Sequence, residues 1–140
     1  MPVLAERLRS ADKDEIYAAR GIGPNEALEI CVVDSTTCWT VLNGDTPIAM
    51  FGYLHVDDDT AQVWMLGSDE LTQNKKWFVR ESKRWLCEFA REFKVLYNFI
   101  DARNELHRKW IGRMGFNIVE SVPDYGFEKR LFLKFAIGEV

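Results

Sequence analysis

Residues 104–116 read Asn-Glu-Leu-His-Arg-Lys-Trp-Ile-Gly-Arg-Met-Gly-Phe, and their spacing is helical. Leu106, Trp110, Ile111 and Met114 fall at the three- and four-residue steps that share a helix face. Asn104 stands where a short polar side chain can satisfy backbone groups between a strand end and a helix start. Trp110 is placed to pack inward, and Gly115 permits a left-handed exit from the helix.

On either side of this helix the pattern is β. Val95–Ile100, apolar apart from Asn98, predicts a fully buried strand, and two strands near 116–122 and 127–137 flank a turn at Pro123-Asp124-Tyr125-Gly126. Upstream, a long helix is expected from about Thr72 to Phe93, with Phe78, Trp85, Leu86, Phe89 and Phe93 forming one apolar stripe. Before it come three β-rich runs, 38–42, 47–54 and 61–67. The first two are joined at Asn43-Gly44-Asp45, a strong hairpin signal, and the last two at the polar turn 57–60. At the N-terminal end, Val3–Leu8 reads as a short strand. Ser10 and Asp12 then offer an N-cap to a helix carrying Ile16, Tyr17 and Ala19, and Gly21–Asn25 breaks it. Pro24 suits the first turn of a second helix with Ala27, Leu28, Ile30 and Cys31.

The expected class is therefore α/β (α+β), one domain over residues 1–140. It has about four helices on a twisted, mostly antiparallel sheet of six to seven strands, in the order β-α-α-β-β-β-α-β-α-β-β. Composition agrees: 47% of the 140 residues are apolar and 13% aromatic, enough for one aromatic-rich core. The net charge of −4 disfavours nucleic acid and anionic membranes, so anion binding would need a local basic patch. No apolar run is long enough to span a bilayer, and no leader pattern is present, so a soluble chain not processed for export is expected. Cys31, Cys38 and Cys87 form no CxxC pair and are odd in number, which favours buried free thiols in a reducing compartment.

Element order and the 104–116 motif together resemble the GNAT N-acetyltransferase superfamily, through Asn104, Trp110, Gly115 and Phe116. That resemblance implies an acetyl-CoA site beside the central strand, with Leu66, Gly67, Lys75, Lys76 and Asn104 as the residues that would contact the cofactor. Two hallmarks of the family differ here. Its glycine-containing pyrophosphate loop corresponds to 67–76, Gly-Ser-Asp-Glu-Leu-Thr-Gln-Asn-Lys-Lys, which has no second glycine and sets Asp69 and Glu70 where a polyanion would lie. Its general-acid Tyr corresponds to Ile111, which has no proton to donate.

A narrower resemblance covers most of the chain: small GNAT-like proteins of short-tailed bacteriophages, of the internal virion protein A type. Trp64, Ser68-Asp69, the basic helix from Lys75 to Arg84 and the 104–115 motif carry it. It implies a role in a phage particle or its assembly, and with both hallmarks replaced the expected protein is catalytically degenerate, with no assigned catalytic residue and no cofactor. Such a protein would act through contacts with a phage or host protein partner in the host cytoplasm or the virion. The alternative is an acetyl-CoA-dependent N-acetyltransferase acting on a protein or small amine. No residue set predicts a metal.

Other candidates have plainer readings. His107 could be a general base but sits one helical turn after Asn104, where packing explains it. His55 beside Asp57–Asp59 reads as a solvated hairpin tip rather than a metal site. Lys76, Arg80, Lys83, Arg84 and Arg91 interleave with Glu81, Glu88 and Glu92, as on a solvated helix face. Trp64, Trp85 and Trp110 fit core positions, whereas Trp77, beside Phe78, points to an exposed contact.

Overall fold

The computed structural model describes residues 2–73 and 75–138. Six strands, β1 (Thr37–Asn43), β2 (Thr46–His55), β3 (Thr60–Gly67), β4 (Val95–Asp101), β5 (Asn117–Tyr125) and β6 (Arg130–Gly138), form one sheet in the order β1-β2-β3-β4-β6-β5. Every neighbouring pair is antiparallel except β3 and β4.

Helices α1 (Pro2–Arg7), α2 (Ser10–Arg20) and α3 (Pro24–Asp34) cover one face. There Leu4, Ala5, Leu8, Ile16, Ala27 and Leu28 pack with Met50 and Leu66. The short α4 (Glu70–Gln73) leads into α5 (Lys75–Glu92), and α5 shares the opposite face with α6 (Glu105–Arg113). On that side Phe89, Phe93, Ile111 and Met114 close over Tyr53, Ala61, Val63, Leu96, Ile100 and Phe135. The mixed α+β class is as expected from the sequence.

Local differences have clear causes. The first element is a helix rather than a strand, because Leu4, Ala5 and Leu8 are all buried, at one- and four-residue steps that an alternating strand would split between two faces. Arg9, not Ser10, caps α2, and its carbonyl accepts from the N–H of Lys13. The chain is helical from Glu70, earlier than the expected start at Thr72. The β1–β2 turn centres on Gly44-Asp45; only Gly44 has positive φ (+62°), as a type II′ turn requires.

The last turn falls at 126–129 instead of 123–126, with Pro123 and the positive-φ Asp124 inside an irregular end of β5. This turn docks on the end of α2, where Phe127 and Glu128 donate their N–H groups to the carbonyls of Ala19 and Ala18. Gly126 (φ +74°) lies so close that a Cβ would come 2.7 Å from the Ala18 oxygen. Orphan carbonyls of α2 are thereby satisfied by a segment more than a hundred residues away.

Candidate functional site

The parallel pair β3–β4 is the weak seam of the sheet. Its register covers only Thr60↔Val95, Ala61↔Leu96 and Gln62↔Tyr97, although both strands continue beyond. The side chain of Asn98 holds the seam where the ladder ends: its Oδ1 accepts from Gln62 Nε2 (2.9 Å) and from the N–H of Phe99 (2.8 Å). Past this point β3 runs on with an open edge. Gly67 directs its N–H to Asp12 Oδ2 and its carbonyl to the N–H of Arg9. Strand alternation aims the N–H and C=O of Met65 the same way, into the gap.

The gap opens into a cavity of about 490 Å³ that reaches both faces of the sheet. On the α2–α3 side its lining includes Glu15, Arg20, Asp34, Ser35, Trp64 and Tyr125; on the α5 side it includes Trp39, Phe51, Trp77, Trp85, Leu86 and Phe89. A smaller cavity of about 180 Å³ lies between the start of α5 and α6 and carries Arg9, Lys75, Lys109 and Arg113, with no acidic residue among the described residues of its lining. Met65, Phe78, His107 and Trp110 line both cavities, and the rings of Phe78 and Trp110 stack at 5.5 Å where they meet.

Two polar atoms at this junction, Nδ1 of His107 and Nε1 of Trp110, have no hydrogen-bond partner among the described residues. His107 is only 8% exposed, and burial lowers its pKa, so the imidazole is held neutral. A neutral imidazole with an uncommitted nitrogen can donate or accept one proton toward the cavity. On the other face, Glu15 accepts from the backbone N–H of Asp101 at 2.8 Å. Burial pushes its carboxyl up to about 8, against the lowering effect of that hydrogen bond. The raised carboxyl of Glu15 titrates in a range useful for proton transfer.

The residues expected from the sequence are partly brought together. Lys75 lines the smaller cavity; Lys76 is exposed and does not. Leu66 lines the larger cavity while its side chain packs against α1–α3. Gly67 is tied to Asp12 and Arg9, and a Cβ there would collide with Leu71. Asn104, 1% exposed, does not cap α6 with its side chain. Its Oδ1 accepts from Arg9 Nη2 (3.1 Å) and its Nδ2 donates to Asp12 Oδ1 (3.0 Å), which makes it a tie between α6 and α2. Ile111 is buried in the core.

The expected repulsion at 67–76 is weaker than the sequence implies, since Arg7 forms an ion pair with Glu70; Asn74 of this stretch lies outside the described residues. The basic groups Lys109 and Arg113 were not legible as site residues, although both sit on the polar side of the quoted motif. Glu15 gave no signal, because its environment is built by Asp101 and Asn104.

Elsewhere, Trp77 is exposed to 40%, whereas Trp64, Trp85 and Trp110 are half-buried around the cavities rather than fully in the core. Cys87 is exposed, against the expectation of buried thiols, and all three cysteines are free. His55 is exposed beside Phe93. Pairs such as Arg84–Glu81 and Arg91–Glu88 lie along α5. Among the described residues no group of His, Cys, Asp and Glu could hold a metal ion, and no helix is long and apolar enough to cross a membrane.

No protein-family model and no curated protein matches the sequence. Solved structures do match. An acetyltransferase of Bacillus subtilis in complex with CoA is 13% identical with a TM-score of 0.67, covering 98% of this chain and 97% of its own. A GNAT family acetyltransferase from Elizabethkingia anophelis with acetyl-CoA bound is 12% identical with a TM-score of 0.68, covering 90% and 89%. An IAA acetyltransferase from Bacillus cereus is 13% identical with a TM-score of 0.64, covering 91% of each chain. At these identities the likeness establishes the fold, which is that of the GNAT acetyltransferases.

Proposed function

We propose that this GNAT-fold chain is an acyl-CoA-dependent N-acyltransferase. The observation that carries the reading is the β3–β4 seam, parted after Gln62 and continuous with a cavity that reaches both faces. A CoA thioester enters from the α5–α6 side, its phosphates near Lys75, Lys109 and Arg113. Arg9 contributes less there, being engaged with Asp12 and Asn104. The amides of the pantetheine arm suit the open edge of β3 at Met65, as an added strand would. CoA bound to two of the similar structures supports this placement.

The acceptor amine comes from the α2–α3 side. Glu15, in its ionised form, takes a proton from the ammonium group, directly or through water. The free amine attacks the thioester carbonyl and the C–N bond forms; the attacking nitrogen releases its extra proton to water, and the C–S bond breaks with the electron pair leaving on sulfur. Because Ile111 has no proton to give, the departing thiolate takes one from solvent, and the nitrogens of neutral His107 and of Trp110 at the junction serve as hydrogen-bonding groups rather than proton sources. The Met65 N–H is a donor for the developing oxyanion.

Calorimetric titration with CoA and acetyl-CoA tests the binding half, and thiol release in the presence of a panel of primary amines tests the transfer half. Absence of heat at millimolar ligand would sink the reading. One observation favours a second reading: the buried Ile111 supports a protein that binds CoA without turnover. Heat without thiol release is its expected sign. The narrower reading, a virion component working through protein contacts, rests on the altered motifs alone and gains no support from the similar structures.

A further inference from the structure

We propose that the acyl donor is a CoA thioester with a medium-length fatty acyl chain, which lies in the apolar arm of the cavity beneath α5; this rests on the transferase reading above. The two ends of the cavity differ in chemistry. Charged and hydroxyl groups, Glu15, Arg20, Asp34, Ser35 and Tyr125, collect on the α2–α3 side and suit an amine. Beneath α5 the walls are aromatic. Trp39 contacts Phe51 at 5.4 Å, Trp85 at 4.6 Å and Phe89 at 5.7 Å between ring centroids, and Phe51 lies 5.4 Å from Trp85. Glu81, the one acid lining this end among the described residues, is held by Arg84 at 2.9 Å.

In a sealed core such rings would be fully covered. Here Trp39, Phe51 and Trp85 remain half-buried, and all three border the cavity. An acetyl group would leave this arm wet and its rings unmatched, which is unfavourable for apolar surface. A flexible chain of methylenes fills an irregular aromatic slot and needs no hydrogen-bond partner from it. Each methylene that leaves water for such a wall tightens binding by roughly fourfold in the ideal case. The gain ends when the chain reaches the end of the arm.

The test is a calorimetric series on the intact chain with CoA, acetyl-CoA, butyryl-CoA, hexanoyl-CoA and octanoyl-CoA. Octanoyl-CoA is expected to bind at least about tenfold tighter than acetyl-CoA, with a stepwise rise between them. Equal affinity for acetyl-CoA and octanoyl-CoA overturns the inference and leaves the transferase reading standing. Failure of every ligand, CoA included, overturns both. Ser82→Phe, at a half-buried lining position of α5, places a ring in the arm. With its fold checked by circular dichroism, the ratio of acetyl-CoA to octanoyl-CoA dissociation constants is expected to fall toward one. A ratio unchanged from the parent chain would show that the acyl chain lies elsewhere and sink the assignment.

Discussion

The side-chain amide of Asn98 donates to the carbonyl oxygen of Val63 at 2.5 Å, standing in for the main-chain partner that β4 ceases to provide after Tyr97. One side chain thus satisfies the first orphaned carbonyl of the opened edge and fixes where the seam parts. Asn98→Ala would leave Val63 O, the Phe99 N–H and Gln62 without this partner. A loss of about 2–3 kcal/mol is expected, read as a lower midpoint in urea denaturation. Unchanged stability would mean that water replaces the amide at no cost.

Asp12, 2% exposed, gathers Arg9, Asn104 and the Gly67 N–H around one carboxylate. Asp12→Ala would strand the Arg9 guanidinium, which is itself largely enclosed. The expected cost is about 3–5 kcal/mol, typical of breaking one partner out of a buried ion pair. Thermal unfolding of the variant beside Asp14→Ala, an exposed neighbour, separates this from a general effect of removing acid from α2.

The carboxyl of Glu15 gives stability a definite pH dependence. Its folded pKa of about 8 lies above the ordinary 4.5, so between these values the native state keeps a proton that the unfolded chain has released. Stability from this group is complete below about pH 4.5 and is lost as pH rises toward 8, at no more than about 1.4 kcal/mol per pH unit. His107, with its lowered pKa, acts in the opposite sense below its ordinary value of 6.5. Urea midpoints of the parent chain minus those of Glu15→Gln, taken from pH 5 to 8, isolate the carboxyl. That difference should fall as pH rises, and a flat one would show an ordinary carboxyl.

The basic mouth should be selective among neighbouring cations. Lys75→Glu and Arg113→Glu are each expected to weaken CoA binding roughly three- to tenfold at low ionic strength, and less in high salt. Lys76→Glu, one residue along but outside the cavity lining, should matter less. Calorimetry at two salt concentrations checks both points; equal losses for Lys75 and Lys76 would point to a diffuse field rather than a site.

Phe78 and Trp110 close the junction between the two cavities by stacking. Phe78→Ala should open it, raising the association rate of CoA in stopped-flow tryptophan fluorescence. The accompanying loss of stability should be modest, about 1–2 kcal/mol, because Phe78 is only half-buried. No change in association rate would place the entry route elsewhere.

Much of this fold is local and was therefore legible in the chain itself. Residues 104–116 carry their own apolar spacing and their Gly115 exit, now seen at φ +96°. Gly44 announces the β1–β2 hairpin, and Pro24 opens α3 as its fixed φ favours. Absence of a glycine after Gly67 and of an acid at Ile111 could also be read directly, because each is a matter of one side chain at one place.

Site chemistry came from contacts that no local pattern encodes. Asp12 meets Asn104 across 92 positions of sequence, and Glu15 meets Asp101 across 86. Burial, which turns an ordinary glutamate into one that titrates near 8, exists only once α2 lies on the sheet. The parting of β3 from β4 is likewise a property of two strands and the Asn98 side chain between them. Sequence by itself determined the elements after the first, their order and the residues missing from the familiar motif, since backbone propensity and apolar period act over a few residues; the first element, expected as a strand, is helix α1. Tertiary structure decided that the seam opens, that Arg7 neutralises Glu70, and that Glu15 and His107 share one cavity, because electrostatics and packing depend on neighbours distant in the chain.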